Sequence, residues 1–166
     1  MGRQEGSWPG SYCSQLRDDF VDGLRRFNES DYAGALALFR VADECADLGD
    51  IFQSRYTSFH GLSRVCMGDS GGAKLCRKAA AGETRDAEVF YNLALAEYRL
   101  ENRESAWMAL RFGLRIDPEH PGLVQLQQAM TLREQRQIIP GLDRNHLVNR
   151  LLGRLFRGTR KPFEQD

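Results

Sequence analysis

The segment from Ala87 to His120, AEVFYNLALAEYRLENRESAWMALRFGLRIDPEH, constrains the fold more than any other part of the chain. It reads as one complete helix, turn and helix, closed by Asp117-Pro118. Phe90, Leu93, Ala94 and Tyr98 carry the apolar face of the first helix, and Ala106, Leu110 and Gly113 that of the second. Small residues at Ala94 and Ala106 allow two helices to approach closely, while the larger ones fill the space around the crossing. Pro118 lacks an N–H and fixes φ, so the chain turns before another helix begins. A unit of this size cannot bury its apolar face alone, which implies neighbours stacked against it.

The same phase recurs upstream. A first unit at about 16–49 has Gly23 at the small position, Phe27, the turn Ser30-Asp31-Tyr32, then Ala35, Phe39 and Ala42. A second, at about 54–86, has Gly61, the turn Gly68-Asp69, then Ala73 and Ala80. It lacks a closing proline, and Gly71-Gly72 falls inside its expected second helix, where glycine weakens a helix. The pattern predicts helices at about 16–29, 32–48, 52–67, 71–82, 87–101 and 103–116. Pro121 opens a capping helix to about residue 137, with Leu123, Leu126, Met130 and Leu132 as its apolar residues.

These residues resemble the tetratricopeptide repeat (TPR) family, and the third unit is the clearest match. Glu97 departs from the pattern where the family more often has an aromatic residue. The resemblance implies an all-α protein. It would be a right-handed α-solenoid of three helix-turn-helix repeats with a C-terminal capping helix. Residues 1–15 would form an N-terminal arm, 16–137 the helical domain and 138–166 a tail. In such arrays the first helices of successive units line a concave, partner-binding groove. The family's groove positions fall here on Arg17, Phe20, Leu24, Phe27 and Asn28, on Arg55, Ser58, Leu62, Val65 and Cys66, and on Glu88, Tyr91, Leu95, Tyr98 and Arg99. That groove would be apolar and aromatic, rimmed by Arg17, Arg55 and Arg99. Members of the family that capture a chaperone's acidic C-terminus place Lys and Asn where this chain has Phe20 and Leu24; only Asn92 matches part of that clamp. The resemblance therefore favours a partner peptide or helix with apolar anchors.

Charge is balanced overall but unevenly spread. Residues 1–120 carry 15 basic against 19 acidic side chains, and residues 121–166 carry 8 against 4. The basic excess lies in the tail, where Leu147, Val148, Leu151, Leu152, Leu155 and Phe156 form one stripe and Arg150, Arg154 and Arg157 lie off it. This predicts a short basic amphipathic helix. It could dock on the helical domain, associate with another protein or copy, or bind an anionic membrane surface weakly. Zero net charge and a single aromatic, Phe156, among the six basic residues spread over 144–161 argue against nucleic-acid binding.

The four cysteines form no CxxC pair and no Cys–His zinc spacing, as expected of free thiols in a reducing compartment. No apolar run is long enough to span a membrane, and the first residues lack a secretory h-region, so a cytoplasmic location is expected. His60, His120 and His146 have no nucleophile or second ligand at helical spacing, and no phosphate loop is present. No enzyme activity, cofactor or metal is expected. The function expected is that of a protein-binding scaffold or adaptor. Two other readings stay open: a secretion or assembly chaperone with the layout of the class II chaperones of type III secretion, and a membrane or self-association module acting through the tail.

Overall fold

The computed structural model describes residues 16–82 and 85–135, which form seven α-helices and, among the described residues, no strand. They are α1 (Asp18–Asn28), α2 (Tyr32–Glu44), α3 (Gln53–Cys66), α4 (Gly72–Gly82), α5 (Ala87–Arg99), α6 (Arg103–Ile116) and α7 (Pro121–Gln135). Local chemistry explains their ends. Asp18 and Asp19 open α1 and Arg25 and Arg26 close it, matching the helix dipole at both termini. Asp31 caps α2 by accepting from the Gly34 N–H, and Asp86 caps α5 by accepting from the Glu88 N–H. Helix α2 ends at Glu44, earlier than the expected 48, and Gly49 follows in a turn at φ +90°. The expected arm, 1–15, and tail, 138–166, lie outside the described residues.

The turns that join α1 to α2, α3 to α4 and α5 to α6 share one geometry. Each has a single residue in the left-handed region: Ser30 at φ 63°, Gly68 at φ 90° and Glu101 at φ 63°. In each, the next N–H bonds back to a carbonyl five residues earlier. Asp31 donates to Arg26, Asp69 to Arg64 and Asn102 to Glu97, all at 2.9 Å. The left-handed residue's own N–H bonds to Phe27, Val65 and Tyr98 respectively. This is the Schellman ending, which satisfies carbonyls that a helix terminus leaves open. Side chains repeat the pairing. Arg26 bonds Asp31, Arg64 bonds Asp69, and in the third turn the polarity reverses, with Asn102 donating to Glu97.

The chain divides into two compact units, a first ending at Val124 and a second from Gln125 onward, so α7 begins in one and continues in the other. Within the first unit the helices pack as hairpins, α1 on α2, α3 on α4 and α5 on α6, with α3 also against α2 and α5. Phe20, Phe39, Tyr56 and Phe59 form an aromatic core at the first hairpin, with ring centroids 4.9–5.3 Å apart around Phe20. Leu62, Val65, Ala73, Cys76 and Ala96 form the next cluster. The small residues set the helix crossings: Gly23, Gly61 and Ala94, and opposite them Ala35, Ala73 and Ala106, are all buried. A Cβ at Gly23 would meet the Phe39 ring, and one at Gly61 would lie 2.6 Å from the Gly72 carbonyl oxygen.

That contact corrects the expectation for Gly71-Gly72. Gly71 lies in the turn, its N–H held by the Asp69 carboxylate, and Gly72 begins α4. The pair weakens no helix interior; Gly72 lets α4 touch the α3 backbone. In the second unit, Leu126 and Met130 of α7 are buried, whereas Leu132 is exposed rather than part of an apolar face. Among the described residues no helix is long and apolar enough to cross a membrane.

Candidate functional site

The surface in question is the run of first helices, α1, α3 and α5. They are neighbours in that order. Phe20 and Phe27 of α1 touch Phe59 of α3, and Asn92 of α5 donates to the Ser58 hydroxyl of α3 at 2.9 Å. Ser58 in turn donates to the Arg55 carbonyl, which fixes the direction of the Asn92 amide. The Asn92 Oδ1 is buried with no hydrogen-bond partner among the described residues, an acceptor that a water or another donor would satisfy.

The expected groove residues divide by burial. Phe20, Leu62 and Val65 are core residues, with 0%, 1% and 6% of their surfaces exposed, and a partner cannot reach them. The cause is the central place of α3. Packed by α2, α4 and α5 and by the aromatic residues of α1, it keeps little free surface. Ser58 is likewise fully buried. Half-buried residues remain: Leu24, Phe27, Cys66, Tyr91, Leu95 and Tyr98. Phe27 already packs edge-on against Tyr32 and Phe59. Tyr91 lies against His120, with ring centroids 5.5 Å apart, and covers Gly122. Burial raises the Tyr91 hydroxyl above its ordinary pKa. Leu24 and Leu95 pack beside the cores from α1 and α5, and each keeps part of its apolar surface accessible.

The expected arginine rim is also uneven. Arg17 bonds Asp19 and the Cys45 carbonyl, each at 2.9 Å. Arg55 forms a two-point bond with the Asp86 carboxylate, at 2.7 and 2.9 Å, and lies over the Phe52 ring. Glu88 is taken by His120, whose Nδ1 accepts from the Leu123 N–H, so Nε2 is the donor to Glu88 at 3.0 Å. Arg99 differs. It is exposed at the end of α5 and has no ion-pair or hydrogen-bond partner among the described residues. Its charge opposes, without overcoming, the upward push that burial gives the Cys66 thiol.

Titratable groups elsewhere serve packing. Asp43 joins His60 at 2.9 Å, Thr57 and Gln53. Burial opposes ionisation of Asp43, but the hydrogen bonds from His60 and Thr57 outweigh it and lower its pKa. Glu97, buried on α5, accepts from Arg77 at 2.6 Å and Asn102 at 2.8 Å. Periodicity did not single out this pair; the departure of Glu97 from the repeat pattern was its one signal. Among the described residues no group of three or more His, Cys, Asp or Glu could hold a metal ion. The tail positions Leu147, Arg150, Leu151, Arg154, Leu155 and Phe156 lie outside the described residues. No protein-family model matches the chain, and no curated protein matches it significantly in sequence.

Proposed function

We propose that this chain is a non-enzymatic scaffold that binds a segment of a partner protein on the face formed by α1, α3 and α5. In this reading α1–α2, α3–α4 and α5–α6 are three TPR-like units of a right-handed solenoid, and α7 is its cap. The observation that carries it is the recurrence of the turns. Ser30, Gly68 and Glu101 adopt the same backbone conformation at intervals of 38 and 33 residues, the intervals at which the small and apolar positions also repeat. A stacked array of this kind presents equivalent positions side by side, and Leu24, Leu62 and Leu95 are equivalent here. Leu62 closes the floor between two accessible leucines, so the surface suits apolar anchors of an extended or helical segment.

Affinity capture with the full chain tests this, comparing the native protein with Leu24→Glu and Leu95→Glu. Val41→Glu, at an exposed position on α2, serves as the control. Circular dichroism establishes that each variant is folded. A partner bound through this face is lost from both leucine variants and kept by Val41→Glu. A partner kept by both leucine variants refutes the reading.

A further inference from the structure

We infer that the segment bound on this face carries an acidic side chain that pairs with Arg99, about 6 Å from an apolar residue seated on Leu95. The inference rests on the reading of α1, α3 and α5 as the partner-binding face, and it names the chemistry of that partner. Three observations carry it. The other charged groups at the expected contact positions are already engaged within the protein: Arg17 by Asp19, Arg55 by both oxygens of Asp86, and Glu88 by the hydrogen bond from His120 Nε2. Arg99 alone of these is exposed and unpaired among the described residues, so the face has an uncompensated positive charge at one place. Finally, Arg99 stands one turn beyond Leu95 on the same side of α5, next to the half-buried Cys66 of α3.

The spacing turns this into a sequence prediction. Four residues of helix rise about 6 Å. An extended ligand places its side chains on one face at every second residue, about 6.6 Å apart, and a helical ligand repeats at every third or fourth. The bound segment therefore has Asp or Glu two positions from a large apolar residue if extended, or three to four positions if helical. A guanidinium bonds a carboxylate through two parallel N–H groups, so Arg99 fixes register as well as adding attraction.

Selection of a random peptide library displayed on phage against the full chain tests the inference, followed by anisotropy titration of one enriched peptide. The native protein is expected to enrich peptides with this apolar–acidic spacing. Arg99→Glu should weaken the titrated peptide about tenfold or more and switch the enriched charge to Lys or Arg, while Arg99→Lys keeps the acidic preference. Leu95→Glu should abolish binding of either kind. If the enriched peptides show no acidic bias, or Arg99→Glu keeps the native preference while Leu95→Glu still abolishes binding, the role of Arg99 is wrong and the binding face stands. If nothing is enriched, or Leu95→Glu binds as the native protein does, the face itself is wrong and the inference falls with it.

Discussion

Gly61→Ala isolates the close approach of α3 and α4. Alanine favours a helix over glycine by about 1 kcal/mol, so propensity alone predicts a more stable protein. The structure predicts the reverse. A Cβ at Gly61 would lie 2.6 Å from the Gly72 carbonyl oxygen, 2.8 Å from Cys76 Sγ and 2.9 Å from Leu75 Cβ. Ordinary contact begins at 3.4 Å, so α4 must retreat by about 0.8 Å. The nearest atom is backbone, and the other two belong to the helix that must move, so no side-chain rotation relieves the overlap. Overpacking of this kind costs about 1–3 kcal/mol and occasionally more. With three overlaps at one site we place it at the upper end, which leaves a net loss of about 2 kcal/mol after the propensity gain. For a chain of this size that lowers Tm by about 4–8 °C. Urea and thermal unfolding followed by far-UV circular dichroism measure it. Gly82→Ala is the control, because a Cβ there meets nothing within 4 Å, and it should gain a few tenths of a kcal/mol. If Gly61→Ala equals or exceeds the native protein in stability, the argument that glycine sets this helix crossing is refuted.

Further outcomes follow from other features. Ser30 and Glu101 hold a backbone conformation that favours glycine, so Ser30→Gly and Glu101→Gly should each stabilise the fold by about 0.5 kcal/mol; a loss at both positions in urea melts would contradict the shared turn geometry. Arg77→Met leaves the buried Glu97 carboxylate with Asn102 and without its cation, a loss of about 2 kcal/mol that adding Glu97→Gln should largely reverse; simple additivity in the double-mutant cycle would deny the coupling. Asp43 ionises more readily folded than unfolded, so its contribution is complete above the ordinary carboxylate value near 4 and fades as pH falls through the lowered one. Asp43→Asn should therefore flatten stability against pH on the acid side, and an unchanged acid limb would argue against that network. Burial pushes the Cys76 thiol up to about 12, so in mild alkali Cys45 should alkylate quickly and Cys76 only on unfolding, as read by mass spectrometry. The raised Cys76 value also favours the folded state below the ordinary thiol range. That advantage is lost as pH climbs from 9.0 towards the folded value.

Periodicity and punctuation determined the helices and their pairing. Apolar and small residues at helical spacing located all six helices from α1 to α6, because a helix that buries one face needs that spacing whatever it packs against. Gly68 marked its turn, since glycine is the usual residue at positive φ, whereas Ser30 and Glu101 adopt the same conformation without that signal. Tertiary structure decided the rest. Gly71-Gly72 resembled a defect until Gly61 was found opposite, because a close approach is a property of two segments and neither shows it alone. The equivalent leucines Leu24, Leu62 and Leu95 are alike in sequence, yet α3 lies between other helices and Leu62 is buried while its counterparts keep some surface. Which arginines are paired within the fold depended on where Asp19 and Asp86 came to rest, and only the packing of the helices sets those distances.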